Sequence, residues 1–287
     1  MILPFRYQCL NLAFGAAKYG LFYPYVKDGQ KTVPMAEPCL EKYAPRFMER
    51  LRQRKQRILD RGYFAKTSKQ WFELWNQRNV DNFETEKVVT PELADHSRFA
   101  VADSGVYYGD TVCGIIPKGP RSPSAYALAT ILNSSVVQWY YMKATVPKAN
   151  GFFIYKVMFL KNVPVPLIPK EHEQLLEQLG KLATFTSQWG YQAMESSNQF
   201  IMDLADACVM ECYFHEHMRE RDLLFLDEVA DALKDYESDA NNTANRAFLE
   251  HFVNTHNAPN AKIRNQLLRL PADSPDLLAV IKQENHI

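Results

Sequence analysis

Residues 125–144, AYALATILNSSVVQWYYMKA, constrain this chain more than any other stretch. Apolar side chains fall at Leu128, Ile131, Leu132, Val136 and Trp139, and the small residues between them leave almost no polar face. A helix that is apolar nearly all round has to be buried, so other elements must surround it. Ser122-Pro123-Ser124 marks its start, with a candidate cap and a proline in the first turn. On its N-terminal side short β-like runs dominate. Residues 21–26 (LFYPYV) and 31–33 flank Lys27-Asp28-Gly29-Gln30, a turn sequence. Residues 98–101 form another run, and residues 106–108 and 111–116 flank Gly109-Asp110, a hairpin signal. Between these lies a helix from residue 37 to about residue 62, with Leu40, Tyr43, Phe47, Leu51 and Ile58 at roughly helical spacing and Gly62 as its stop. On the C-terminal side, residues 151–155 and 157–160 read as strands. Pro164 and Pro166 rule out a central strand over residues 162–166, because proline has no N–H to donate.

From Glu171 the texture turns helical. Leu175, Leu176, Leu179, Leu182 and Ala183 form one amphipathic stripe, and Ile201, Leu204, Ala205, Cys208, Val209, Cys212 and Tyr213 a second. Residues 223–233 form a third, and a linker-like break follows at residues 237–242. Residues 244–287 read as two or three short helices separated near Pro259 and Pro271 to Pro275. The expectation is an α+β fold with a mixed or antiparallel sheet and packed helices over residues 1–169. An acidic helical region (170–240) and a small helical tail (241–287) complete an α-helical C-terminal region.

The charge is unevenly spread. Net charge is zero, yet residues 42–69 hold ten Lys/Arg and two acids, while residues 171–240 hold sixteen Asp/Glu and four Lys/Arg. A basic block of this kind points to a polyanion, although a solvated helix face is the commoner cause of any one charge run. No run approaches the roughly 20 apolar residues of a membrane helix. The start carries Arg6 inside its apolar part and does not read as a signal peptide. Five scattered cysteines argue against a disulfide framework and for a reducing cytoplasm.

Catalytic chemistry finds little support. There is no G-x-S-x-G elbow and no G-x-G pair among eleven glycines, so no phosphate-cradling loop of the familiar kinds. Cys208, Cys212, His215 and His217 carry metal-ligating atoms, but a structural zinc site needs two separated ligand pairs, and small core cysteines near a helix end fit the pattern better. Neither a catalytic residue nor a metal ligand is assigned. Nucleic-acid binding fits better. The basic helix, a loop with Lys66 and Lys69, and the stretch QWFELWNQR at residues 70–78 are contiguous. Arg52, Arg54, Lys55, Arg57, Lys66 and Lys69 are the phosphate candidates, which supply affinity without sequence information. Gln70, Trp71, Gln77 and Arg78 are the base-proximal candidates, since forked amide and guanidinium groups match base edges. Trp75 reads as a packing residue. Lys143 and Lys148, either side of Thr145-Val146-Pro147, are further phosphate candidates. A protein-interaction module is the competing reading on composition alone.

The order of these pieces resembles the C-terminal specificity (target-recognition) domain of TaqI-like DNA adenine-N6 methyltransferases and fused restriction–modification enzymes. Residues 21–25 (LFYPY) resemble the family's first strand. Residues 40–45 (LEKYAP) with 51–61 resemble its long helix ending in an arginine. Trp71-Phe72-Glu73-Leu74 with Arg78 resembles its W-Y-E-L…R signature, and residues 87–91 (KVVTP) its K-I-x-x-P strand. Residues 126–140, with Ile131-Leu132-Asn133-Ser134 at their centre, resemble its L-L-A-I-L-N-S helix. Residues 151–166 resemble its glycine–aromatic strand ending in Pro-x-Pro, and residues 199–233, with Tyr213-Phe214, the helical tail of larger members. The family's Asn-Pro-Pro-Tyr catalytic motif and glycine-rich cofactor loop have no counterpart here. The resemblance therefore implies double-stranded DNA recognition, in a restriction–modification or phage-defence setting, without transfer chemistry. S-adenosylmethionine would belong to a catalytic domain or subunit elsewhere, and the acidic helices would dock it. The chain is then either part of a larger enzyme or a stand-alone specificity subunit. A scaffold whose helical C-terminal region binds a partner subunit remains the alternative.

Overall fold

The computed structural model describes residues 2–5, 9–10, 13–14, 19–62, 64–188, 195–238 and 240–282, with side chains from residue 21 onward apart from 65, 188 and 195. Arg6 near the start, Asp239 in the linker-like break and residues 283–287 of the helical tail lie outside the described residues. The chain forms two compact units. One comprises residues 1–7, 16–86 and 103–109, and the other residues 8–15, 87–102 and 110–287.

In the first unit, β1 (Ile2–Phe5) pairs antiparallel with β4 (Tyr19–Phe22). The expected hairpin follows as β5 (Tyr25–Asp28) and β6 (Lys31–Pro34), with Asp28 opposite Lys31. Its two-residue loop begins with Gly29 at φ 58°, where primed hairpin turns need a positive φ. The single long helix expected over 37–62 is instead three short ones: α1 (Glu37–Tyr43), α2 (Pro45–Arg52) and α3 (Lys55–Leu59). Pro45 explains the first break. The residue before a proline is driven out of the helical region, and Ala44 sits at φ −141°, ψ 53°. Leu40, Met48, Trp71 and Phe72 form the core beneath these helices, with Leu51 and Ile58 packed against it. A second aromatic group gathers Tyr23, Tyr25, Phe83, Tyr107 and Tyr108. Phe83 and Tyr107 stack with centroids 4.3 Å apart.

The second unit holds the short β2 (Cys9–Leu10) and β3 (Ala13–Phe14), which pair with each other. Its three-stranded antiparallel sheet has β7 (Lys87–Pro91) between β9 (Ala100–Ala102) and β10 (Val112–Ile115). Pairing of β8 (Leu93–Ala94) with β11 (Phe153–Ile154) adds a separate ribbon. Val112 lies opposite Pro91, so β10 joins β7 and the hairpin anticipated about Gly109-Asp110 does not form. Tyr107 and Tyr108 serve the aromatic group of the first unit instead.

The apolar segment is buried as its composition demands, but as two helices. α4 (Ala125–Leu132) has seven buried residues among its eight. Then α5 (Ser135–Ala144) follows after a corner at Asn133-Ser134. Ser124 and Ser134 cap the two helices, accepting from Ala127 N and Val137 N at 3.3 Å each. Asn133 holds the corner to the sheet side. Its Oδ1 accepts from Phe99 N at 2.9 Å, and its Nδ2 donates to the carbonyls of Phe99 and Ala129 at 2.8 and 2.9 Å. Residues 157–160, read as a strand, form the short helix α6 (Val157–Leu160). A four-residue apolar run carries no periodicity that separates the two states.

The C-terminal helices are α7 (Lys170–Gln188), α8 (Glu195–Glu220), α9 (Leu226–Leu233), α10 (Asn242–His256), α11 (Lys262–Asp273) and α12 (Pro275–Ile281). They extend the core of the second unit, so the change of texture near residue 170 falls inside that unit. α7 lies close against α4. A Cβ on Gly180 would stand 2.6 Å from Thr130 Oγ1 and 2.9 Å from the Tyr126 carbonyl oxygen. Thr130 Oγ1 also donates to the Leu176 carbonyl at 3.0 Å. The fold is α+β, with antiparallel sheets and packed helices followed by a helical C-terminal region. No helix among the described residues is long and apolar enough to cross a membrane.

Candidate nucleic-acid interface

The basic block of the first unit is built on Trp71. This side chain is only 7% exposed, and its ring contributes to the core beneath α1 to α3. Its Nε1 donates to Glu37 Oε2 at 3.3 Å, and Lys55 Nζ stands 5.1 Å from its ring centroid. Trp71 thus faces inward and does not lie on a base-proximal surface. It is instead the floor on which the basic helices rest. Trp75, read as packing, is 52% exposed. The two tryptophans change places because residues 71–79 are turn, bend and irregular backbone, not helix, so a spacing of four does not put them on one face.

The phosphate candidates divide by what they already touch. Arg52 pairs with Glu37 and Glu41. That guanidinium, through its hydrogen bond, holds the Glu37 carboxyl below its ordinary range. Lys69 Nζ donates to the carbonyls of Leu74 and Trp75 at 2.8 and 2.9 Å, so its ammonium fixes the following loop. Lys55 lies over Trp71. Arg54, Arg57 and Lys66 are exposed at the surface of the same unit, as are Arg50 and Arg61, which share the run. Five cations on consecutive short elements give a concentrated positive surface of the kind phosphates neutralise.

Among the base-proximal candidates, Gln70 is exposed, and its backbone N–H donates to Glu73 Oε1 at 2.7 Å. Gln77 is exposed and donates through Nε2 to the Thr32 carbonyl at 3.3 Å. Arg78 is half-buried, with its guanidinium carbon 4.8 Å from the Tyr108 ring centroid. Its backbone N–H donates to Tyr23 Oη at 2.9 Å, and the same hydroxyl donates to its carbonyl. Burial pushes the Tyr23 hydroxyl above its ordinary range, so it stays protonated and keeps both roles.

Lys143 and Lys148 belong to the second unit. Lys143 is exposed in the last turn of α5. Lys148 lines a cavity of about 900 Å³ with Asp95, Gln138, Asn150, Asp206 and Lys282. Asp206 is committed to structure, since it accepts from Ser135 N at 2.7 Å and from Ser135 Oγ at 2.8 Å at the start of α5. The backbone turns past this cavity through Asn150 and Gly151, at φ 62° and 72°. Cys208 is buried on α8, and His217 Nε2 lies 3.1 Å from Ser274 Oγ. Buried Glu211 accepts from the N–H groups of Phe225 and Leu226 at the start of α9.

An aromatic floor carrying exposed cations, inside an α+β fold, is an arrangement able to hold a polyanion. The family comparison narrows this. Residues 40–165 match the family model described as the TaqI-like C-terminal specificity domain. That segment is similar to the specificity domain of this family, and the similarity supports a DNA-recognition role of the kind used in methyltransferase systems.

Proposed function

We propose that this chain binds a particular sequence of double-stranded DNA and presents a target adenine to an adenine-N6 methyltransferase or restriction–modification catalytic part that it does not itself contain. The observation that carries this reading is the exposed cationic set Arg54, Arg57 and Lys66 inside the family-matched segment, on the short elements that flank the Trp71 core. These residues neutralise phosphates, with Lys55 contributing, and Lys143 and Lys148 are separate phosphate contacts of the second unit. Gln70 and Gln77 carry exposed amides suited to base edges. Arg78 acts by supporting its loop, since it is packed on Tyr108. S-adenosylmethionine binds the catalytic domain or subunit, and exposed acids of the C-terminal helices, Glu216, Glu220 and Asp231 among them, face that partner.

The test is selection from a randomised duplex pool by the purified chain, followed by sequencing of the bound fraction. Enrichment of one short motif containing adenine is the expected result. Binding without enrichment would contradict sequence-specific recognition. Methyl transfer by the chain alone, supplied with S-adenosylmethionine and the enriched duplex, would contradict the absence of transfer chemistry.

A further inference from the structure

The cleft of about 900 Å³ in the second unit has polar groups that the fold leaves unused. Its carboxylates are committed. Asp95 Oδ1 lies 2.8 Å from both Arg98 Nη2 and His96 Nδ1, and Asp206 is held by Ser135. Its donors are not. Neither Lys148 nor Lys282 makes a side-chain hydrogen bond or ion pair among the described residues, and Lys282 acts on the Asp206 charge only at longer range. Gln138 Oε1 accepts from Ser97 N at 3.4 Å, which leaves its Nε2 as a further donor. Both lysine backbones are fixed, since Lys148 N donates to the Phe152 carbonyl at 2.7 Å and Lys282 N to the Leu278 carbonyl at 2.8 Å. Met142, Phe153 and Ile281 supply apolar wall. A cleft whose spare polar groups are two ammoniums and an amide N–H matches an acceptor-rich anion. Its volume far exceeds that of a single phosphate and lies in the range of about 300–1,000 Å³ of small-molecule sites, so the matching anion carries an organic body.

We propose that this cleft binds one nucleotide, with its phosphate on Lys148 and Lys282, its base edge meeting the Gln138 amide, and its sugar and base against the apolar wall. The choice of a nucleotide over other organic phosphates rests on the DNA-binding reading above. The same chemistry is offered by a nucleotide of a bound strand and by a free nucleoside monophosphate. The cleft is composite. Gln138, Met142, Lys148 and Phe153 lie in the family-matched segment, whereas Asp206, Ile281 and Lys282 come from the helical region beyond it. α12 brings Ile281 and, at its C-terminal end, Lys282. The C-terminal helices thus complete a site that the specificity segment alone leaves without one of its two cations. Lysine meets phosphate as a point charge, so the two ammoniums supply affinity without demanding a single geometry. Every base edge carries acceptors that one amide N–H can meet, so Gln138 orients the base without selecting strongly among bases.

The experiment titrates the full chain with deoxynucleoside monophosphates, ribose phosphate and inorganic phosphate by calorimetry, for wild type, Lys148→Gln and Lys282→Gln. Duplex DNA is titrated in parallel across a salt series. Matching thermal melts establish that the variants fold, as expected at exposed positions. The wild type is expected to bind mononucleotides more tightly than either smaller phosphate. Each lysine variant is expected to weaken mononucleotide binding about tenfold, the loss of one charge-assisted contact. Competition between duplex and mononucleotide would support the cleft and assign the nucleotide to a bound strand. Simultaneous binding of both would support it and assign the site to a free nucleotide. Equal binding of all three phosphates, or mononucleotide binding unaltered in both variants, would overturn the proposal. A wild type that binds duplex with a steep salt slope but no mononucleotide at millimolar concentration would overturn the cleft and leave DNA binding standing. Mononucleotide binding that depends on both lysines, with no duplex binding at low salt, would overturn the DNA-binding reading and leave the cleft standing.

Discussion

Replacing Trp71 by alanine probes the link between the core and the basic surface. The side chain is 7% exposed and packs with Leu40, Met48 and Phe72. Truncating a buried tryptophan to alanine costs about 3–5 kcal/mol, mostly as lost burial and an unfilled cavity. Loss of the Lys55 contact adds about 0.5–1 kcal/mol. The half-exposed hydrogen bond to Glu37 adds less. A total of roughly 4 kcal/mol is a large share of the 5–15 kcal/mol typical of a domain. Two units need not unfold together, so the appropriate assay is native-state hydrogen exchange over residues 40–59, not a global melt. Trp71→Ala is expected to abolish slow exchange in α2 and α3 and to weaken DNA binding through disorder of Arg54 and Arg57. Trp71→Phe keeps a ring in the core and is expected to hold DNA affinity within about threefold. Exchange protection unchanged in Trp71→Ala would refute the floor role. Loss of sequence preference in a well-folded Trp71→Phe would show instead that the indole reads DNA.

Gly180→Ala places a Cβ 2.6 Å from Thr130 Oγ1, so α7 must move from α4. A loss of about 1–3 kcal/mol is expected by denaturant unfolding, partly relieved by Thr130→Ala in the same chain. Glu37 has its carboxyl pKa lowered, chiefly by its hydrogen bond from Arg52. Its ion pair therefore contributes above the ordinary glutamate range and is lost as pH falls through the lowered value. Exchange protection of α1 and α2 should decline with acidification in wild type, and Glu37→Gln should flatten that decline.

How much of this was legible depended on whether a local signal met a local cause. Gly29 in its turn predicts the first hairpin, and the hairpin forms there. The apolar composition of residues 125–144 predicts burial correctly, but it is silent on the corner at Asn133. That corner arises from three hydrogen bonds to partners distant in sequence or one turn back. Pro45 was visible as a breaker, and helical spacing across it masked the split. The reversal of Trp71 and Trp75 had no sequence signal of its own. It follows from tyrosine hydroxyls about 50 residues upstream that fix the turn backbone. The cations were legible as a block, but which of them have structural partners was not. Glu37 and Glu41 lie a helix away from Arg52, and Lys69 binds carbonyls that carry no side-chain signature.

The central claim is that this surface holds DNA through its phosphates, and the most direct test is the salt dependence of duplex binding by the intact chain. Three to six phosphate contacts predict a slope of log K against log salt of about −3 to −5. Reversing the charge of Arg54 and Arg57 together should weaken binding at low salt and make the slope shallower by about two. A slope near zero, or no binding at low salt, would contradict the account.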